Sequence, residues 1–314
     1  MRIIVTGGAG FIGSHIADAL LTEGHEVLVF DDLSTGSRKN VPASATFVQA
    51  DLREANAVER VLNDFQPDVV CHQGAQTSVS VSTREPVRDA MINIIGSINL
   101  LEACVRHRVQ RVVFASTGGA IYGEVAGQAR ATIDWAPAPL SPYACSKLAV
   151  ERYLHAFQHE HGLVFTVLRY ANVYGPRQDP HGEAGVVAIF TDRLLRNEPI
   201  QINARAETGD SGCIRDYVFV GDVVRANQLA IAGKLAVPVV NICTGAATTT
   251  LELAKLLESA VGTKAEIRFA PRRAGDLIRS VLGTNLPEQV GAKVSLQEGL
   301  TETVAWFRKR FASR

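Results

Sequence analysis

Val5-Thr6-Gly7-Gly8-Ala9-Gly10-Phe11-Ile12-Gly13-Ser14 is the stretch on which the reading of this chain turns. Ahead of it stands the apolar run Arg2-Ile3-Ile4-Val5, a buried strand. Behind it, Ile12, Ile16, Ala19 and Leu20 fall at helical spacing. The glycines therefore occupy the turn where a strand becomes a helix. Lacking a Cβ, they let the turn close tightly and let a diphosphate come up to the backbone. The N–H groups at the helix start, at Phe11, Ile12 and Gly13, add a positive dipole end. A glycine cluster alone says little, but Gly7, Gly10 and Gly13 are followed by a second strand, His25 to Phe30, that ends in an acid, Asp31. A carboxylate at that point accepts both ribose hydroxyls of an adenosine and repels a 2′-phosphate. The pattern predicts a dinucleotide site that takes NAD rather than NADP. The plainer reading of Asp31, a cap or turn acid, leaves the spacing unexplained.

Composition narrows the class. The chain has 314 residues, no formal net charge and 46% hydrophobic residues, which suits a large core in one domain or two closely joined ones. Balanced charge argues against nucleic acid or a membrane surface as partner. A strand follows Met1 almost at once, so no signal peptide is expected, and no apolar run reaches the length of a membrane span. The five cysteines, Cys71, Cys104, Cys145, Cys213 and Cys243, are scattered, with no Cys-x-x-Cys pair. They read as reduced thiols of a cytoplasmic protein, with neither disulfides nor a metal site.

Working outward, the polar turn after Asp31 brings Asp32, Ser34, Thr35 and Gly36 to the adenosine pocket. Arg38 and Lys39 read as solvated surface charges. A third strand, Thr46 to Ala50, ends in Asp51-Leu52, where Asp51 either meets the adenine amino group or caps a helix over Ala55–Phe65. A fourth, Asp68 to His72, runs into Gln73-Gly74-Ala75, small enough to let a cofactor lie over the strand's carboxyl end. His72 reads as a packed residue. Within the helical stretch from Pro86 to His107, Asn93 faces the sheet and offers its amide to backbone beside the cofactor. The fifth strand, Arg111 to Ala115, ends in Ser116-Thr117. Ser141 as N-cap and Pro142 at the first position start a helix carrying Tyr143 and Lys147, four apart and on one face. After the strand Val164 to Arg169 the alternation stops. Ile214–Val220 and Val239–Ile242 read as strands returning to the first domain, with a helix at Asp222–Ala232 between them. The expected fold is α/β: a doubly wound parallel Rossmann sheet over residues 1–175 and 214–244, with a smaller α/β substrate lobe over 176–213 and 245–314.

Tyr143 and Lys147 are the reactive pair. A free tyrosine, with a pKa of about 10, is a poor base at neutral pH. A nearby ammonium and a positive nicotinamide favour the phenolate, and a drop of about three units needs roughly 4 kcal/mol. The phenolate then takes a proton from a sugar hydroxyl as the carbon gives up hydride, with Thr117 holding or relaying that proton.

These motifs together resemble the extended short-chain dehydrogenase/reductases, specifically the UDP-glucose 4-epimerase family of NAD-dependent epimerases and dehydratases. The resemblance spans essentially the whole chain. Its carriers are Thr6 to Gly13, Ser116-Thr117 before Tyr122-Gly123, Tyr143 with Lys147, Leu168 to Pro176, Arg215-Asp216-Tyr217-Val218 and Arg273-Ala274-Gly275-Asp276. It implies that Thr117, Tyr143 and Lys147 are catalytic and that Tyr170 touches the cofactor. It further implies that Asn172, Arg215, Arg273 and Asp276 belong to the site for a nucleoside diphosphate, for which paired arginines suit. The implied reaction oxidises C4 of a UDP-hexose to a ketone and returns hydride to the other face, interconverting UDP-glucose and UDP-galactose. A homodimer is implied as well. Gly118-Gly119 departs from relatives that carry an Asp-Glu pair or a Glu after the Thr, and two glycines provide neither acid nor base for elimination. A dehydratase or decarboxylase, and a dinucleotide-sensing protein on the same fold, remain as alternatives. The family's sugar pocket is bordered four positions past Asp276, at Ser280, where a small residue leaves room for a 2-acetamido group. Activity on UDP-N-acetylglucosamine is therefore expected alongside UDP-glucose.

Overall fold

The computed structural model describes residues 1–181, 185–235, 237–273, 275–287 and 290–312. The quoted Ala274 thus lies outside the described residues. In chain order, β1 (Arg2–Thr6), α1 (Phe11–Thr22), β2 (Glu26–Asp31), β3 (Thr46–Gln49), α2 (Ala55–Phe65) and β4 (Val69–His72) come first. Next are α3 (Val79–Arg84), α4 (Pro86–Ala90) and α5 (Gly96–Arg106), the last two joined by a π-helical turn at Met91–Ile95. β5 (Arg111–Thr117), α6 (Gly118–Ile121), α7 (Pro142–His161) and β6 (Phe165–Tyr170) follow. The remaining elements are β7 (Asn172–Tyr174), α8 (Val186–Leu195), β8 (Ile200–Asn203), β9 (Ile214–Arg215), β10 (Tyr217–Phe219), α9 (Val220–Ile231), β11 (Val239–Ile242), β12 (Thr248–Thr249), α10 (Thr250–Val261), β13 (Ile267–Ala270), β14 (Arg279–Ser280) and α11 (Leu296–Ala312).

The central sheet has seven strands in the order β11-β6-β5-β4-β1-β2-β3. β1 pairs in parallel with both β2 and β4, so the order of connection reverses on either side of it. In open α/β sheets ligands bind outside the strand ends at such a reversal. The turn that leaves β1 is the glycine-rich one, and the reading of the fold from that turn holds. The strands are near-continuous apolar runs because both faces are covered. On one side Ile4, Leu28, Val70, Val112 and Val167 pack with Val58, Leu62, Leu100, Leu101 and Leu154 from α2, α5 and α7. Fully burying each such side chain is worth about 1.5–3 kcal/mol.

The chain divides into two compact units: residues 1–117, 139–169 and 224–240, and residues 118–138, 170–223 and 241–314. This differs from the sequence-based division, because the segment after β5 and the start of β7 gather with the later strands. One expectation is corrected. Val239–Ile242 joins the central sheet, but Ile214–Val220 does not. It breaks at Asp216 into β9, which pairs with β12 and β14, and β10, which pairs with β7. Asp216 stands where the two ladders meet, its N donating to Ser280 O at 3.2 Å and its O accepting from Asn172 N at 2.9 Å. Its buried side chain accepts from Thr244 N and Oγ1 at 3.0 and 2.7 Å, from Gly245 N at 2.9 Å and from Leu282 N at 3.3 Å, which ties the junction to two later segments. No helix among the described residues is long and apolar enough to cross a membrane.

Candidate active site

In the first unit the glycine turn is set by contact at atomic range. Gly7 has φ +65°, and a Cβ there would stand 2.7 Å from the Gly74 backbone. A Cβ on Gly13 would stand 2.3 Å from the Gly7 carbonyl oxygen. Gly10 is the N-cap of α1 and has no side chain to cap it. The N–H groups of Phe11, Ile12 and Gly13 at that helix start are thus left for an anion. Asp31, 7% exposed, accepts from Ala9 N at 2.9 Å and Leu33 N at 2.8 Å. Burial raises its pKa, and those two N–H bonds pull it back down. Gly36 closes over this carboxylate, since a Cβ would lie 3.0 Å from both Ala9 and Asp31 Oδ1. Asp32 and Ser34 form an exposed turn, Ser34 Oγ donating to Asp32 Oδ1 at 2.7 Å, with Thr35 exposed beside them. These residues fit a dinucleotide: a cradle that admits no side chain, free helix N–H groups and an acid at the second strand end.

Asp51 does not cap α2. Its carboxylate is held by Arg53, Nε at 2.9 Å and N at 2.8 Å, and the cap of α2 is Glu54. The Arg53 guanidinium lowers its pKa. Leu52 is buried below. At the end of β4, Gly74 N donates to Thr6 Oγ1 at 3.0 Å, and Gln73 Nε2 donates to Asn227 Oδ1 at 3.1 Å, with the half-buried Ala75 next in line. Asn93 bonds backbone as expected: Gln76 N donates to its Oδ1 and its Nδ2 to Gln76 O, both at 2.9 Å. His72 is packed, with Thr6 on Nδ1 at 2.7 Å and Ser97 on Nε2 at 2.9 Å.

Helix α7 begins as its sequence dictates, Ser141 Oγ accepting from Ala144 N at 3.3 Å and Pro142 in the first turn. This start brings Tyr143 to the end of β5, beside the Thr117 side chain. One turn on, Lys147 is 4% exposed, donates to Ala115 O at 2.9 Å and lies 4.8 Å over the Phe114 ring. Thr117, Tyr143 and Lys147 are thereby one constellation. The expected phenolate rests on a lysine ammonium and a positive nicotinamide together, and of these Lys147 is the chain's own group. Burial pushes the Tyr143 phenol up to about 12, against the lowering bond from Thr117. Burial pushes the Lys147 ammonium down to about 8, against the charges of Asp89 and Glu151. Lys147 is committed to a carbonyl and a ring face, so the chain's own groups leave Tyr143 a neutral phenol.

Sequence reasoning passed over the groups behind this pair. Ser116 Oγ donates to Glu151 Oε1 at 2.6 Å, and Glu151 makes a buried ion pair with Arg169 at 2.5 Å. Asp89, 1% exposed, receives Ser146 Oγ at 2.6 Å, Gln76 Nε2 at 2.8 Å and Asn93 Nδ2 at 3.0 Å. The signal was present: Asp89 is one turn before Asn93, and Glu151 one turn after Lys147.

The second unit holds the other candidates. Arg215 donates Nη1 to Ile214 O at 2.9 Å and Nη2 to Leu277 O at 2.7 Å, which fixes the fork and leaves Nε and the outer N–H groups. The neighbouring Asp216 carboxylate is held by Thr244, Gly245 and Leu282. Ser280 pairs with Arg215 across β14 and β9, and its Oγ donates to Gly119 O at 3.0 Å. Asn172 donates N to Asp216 O at 2.9 Å. Its Oδ1 lies 3.6 Å from where a Gly119 Cβ would be. Asn172, Arg215, Ser280 and Gly119 are thus one cluster, and Tyr170 is buried at the end of β6. Arg273 and Asp276 pair with each other at 2.9 Å on the surface, the Arg273 side chain 66% exposed. Glu124, not singled out in the sequence, accepts from Ile278 N at 2.8 Å and Arg279 N at 3.2 Å.

A family model described as the NAD dependent epimerase/dehydratase family matches residues 3–243. The UDP-glucose 4-epimerase of Mycolicibacterium smegmatis is 42% identical over 99% of each chain. Among solved structures, the UDP-glucose 4-epimerase of Thermus thermophilus in complex with NAD superposes with a TM-score of 0.93 at 51% identity, over 98% of this chain and 99% of that one. The Thermotoga maritima UDP-glucose 4-epimerase with UDP-glucose gives 0.93 at 47% identity, over 99% and 100%. Glycine turn, strand-end acid, Thr–Tyr–Lys constellation and full-length similarity agree: the chain belongs to the NAD-dependent epimerase/dehydratase family.

Proposed function

We propose that this chain is an NAD-dependent UDP-glucose 4-epimerase that interconverts UDP-glucose and UDP-galactose through a 4-keto intermediate. The observation that carries the reading is the placement of Tyr143 beside Thr117 at the end of β5, with Lys147 buried one turn on. Bound NAD supplies hydride acceptance from C4, its return, and a positive ring that favours the phenolate. Tyr143 takes the proton of the 4-hydroxyl and gives it back, Thr117 positions that hydroxyl, and Lys147 supplies positive charge. We assign cofactor binding to the first unit: Gly7, Gly10, Phe11, Ile12 and Gly13 at the diphosphate, Asp31 to Gly36 and Asp51-Leu52 at the adenosine, and Gln73 to Ala75, Asn93 and Ser116 toward the nicotinamide. Tyr170, in the second unit, is assigned as a further cofactor contact. In the second unit Asn172, Arg215 and Arg273 take the UDP diphosphate, which requires Arg273 to share or leave Asp276. A surface pair of that kind is worth about 0–1 kcal/mol, so a diphosphate outcompetes it.

The dehydratase reading loses ground on Glu124. The carboxylate downstream of Gly118-Gly119 is occupied with the Ile278 and Arg279 N–H groups rather than presented for elimination. Ser280, small and buried, supports tolerance of a 2-acetamido group. Val87, Met91 and Ile95, four apart and exposed on one helix stripe, together with exposed Tyr153 on α7, support a homodimer through paired helices. The free cysteines support a cytoplasmic, reducing location. Incubation with UDP-galactose decides among the readings. UDP-glucose alone is the expected product; a 4-keto-6-deoxy sugar means dehydration, and no turnover with tight NAD binding means a sensor.

A further inference from the structure

Two buried carboxylates, Asp89 and Glu151, act on the Lys147 charge, and among the described residues only Glu151 has a cationic partner of its own. Glu151 is matched by Arg169 at 2.5 Å. Asp89 is held by three neutral donors: the amides of Gln76 and Asn93, and the hydroxyl of Ser146 at 2.6 Å. Ser146 is the residue before Lys147 and three after Tyr143 on α7, so Asp89 is fastened to the backbone segment that carries the reactive pair.

We propose that Asp89 is a positioning residue of the epimerisation: its buried carboxylate, anchored on Ser146, sets the field in which Tyr143 and Lys147 exchange protons. This rests on the assignment of those two residues as the proton-transfer pair. A negative charge holds protons on its neighbours. It keeps Lys147 an ammonium to higher pH and Tyr143 a phenol to higher pH, which agrees with the direction of its influence on both. It thus raises both limbs of the pH–rate profile together. The other ionisable groups near Lys147 do not duplicate the effect. His72 on β4 is buried and neutral, and Glu151 is balanced by Arg169 from β6. Arg84, Glu85, Arg88, Glu102 and Arg106, on the helices packed against α7, are exposed to water.

The test compares wild type, Asp89→Asn, Asp89→Ser and Ser146→Ala as isolated with their nucleotide. Turnover of UDP-galactose is followed against pH, and Tyr143 ionisation by tyrosinate ultraviolet difference absorbance with Tyr143→Phe as blank. Loss of the Asp89 charge should move both limbs, and the Tyr143 absorbance titration, toward acid by on the order of one pH unit. Ser146→Ala keeps the charge and should leave the limbs in place while lowering the rate. A uniform fall in rate for the uncharged variants with no displacement overturns the proposal, as does an acid displacement in Ser146→Ala. If Asp89→Asn fails to fold, Asp89→Ser decides; if both fail, Ser146→Ala does. The absorbance titration needs no turnover, so it stands even if the protein proves to act on a different sugar.

Discussion

Acid should unfold this protein partly through one imidazole. His72 is 2% exposed, and its pKa falls from 6.5 to about 3, chiefly because burial disfavours the charged ring and secondarily because Lys147 repels it. The bonds assign its tautomer. Ser97 Oγ donates to Asn93 O at 2.5 Å, so it can only accept from the ring, and Nε2 carries the hydrogen. Nδ1 is then the acceptor of the Thr6 hydroxyl, which itself accepts from Gly74 N. A proton on Nδ1 would meet the Thr6 proton head-on. The folded pKa lies below the unfolded one, so between about pH 3 and 6.5 the unfolded chain binds the extra proton. Stability therefore rises with pH through that window and is lost as pH falls. One proton is worth about 1.4 kcal/mol per pH unit, or about 2.7 kcal/mol over two units. His72→Gln, with a donor and an acceptor but no titration, keeps every other acid-sensitive group. Urea unfolding of both proteins at equal nucleotide content, from neutral pH downward, should show the wild-type free energy converging on the variant's at that slope. Parallel lines would refute the assignment of His72 as a buried neutral base.

Three further outcomes are expected. Tyr143→Phe should cut kcat by about 10²–10⁴-fold, the span of general acid–base catalysis, with the KM for UDP-galactose little changed; steady-state kinetics checks this, and near-normal turnover removes Tyr143 from the role. Glu151→Gln leaves the Arg169 guanidinium buried without its carboxylate and should cost about 3–5 kcal/mol in denaturant unfolding, so a loss under about 1 kcal/mol would mean that the pair is relaxed by water. Ser280→Tyr fills the space beside Gly119 and Arg215 and should lower kcat/KM for UDP-N-acetylglucosamine relative to UDP-glucose, an unchanged ratio ruling out Ser280 as the gate.

What could be read from the chain was what neighbours in sequence decide. The glycine turn, the acid ending β2, the Ser141-Pro142 helix start and the Tyr143/Lys147 face all rest on spacings of a few residues. Ile214–Val220 looked like one strand because its apolar pattern is continuous, yet it pairs as two pieces, with partners β12 and β14 on one side of Asp216 and β7 on the other, all distant in sequence. Asp51 looked like a cap or an adenine ligand; Glu54 takes the cap, and Arg53, two residues away, folds onto the carboxylate. The phenolate was expected from a lysine together with a positive nicotinamide; among the chain's own groups burial outweighs a cation whose Nζ is turned to Ala115 O. Asp89 is an ordinary helix acid in sequence. Only packing of α4 against α7 makes it a buried charge.

The π-helical turn at Met91–Ile95 sets the register between the helices on either side of it. A π turn holds one residue more than the helix around it, and each residue of an α-helix advances about 100°. Deleting one residue there would restore regular hydrogen bonding, a local gain. The same deletion would turn everything before it by about 100° against everything after it. Asp89 would swing away from Ser146 while Ser97 stayed beneath His72. The extra residue therefore lets two faces of one rod serve two neighbours, Asp89 reaching Ser146 on one and Ser97 reaching His72 on the other. A deletion variant should lose both turnover and thermal stability, because the regained helix bond does not offset a buried carboxylate torn from its donors.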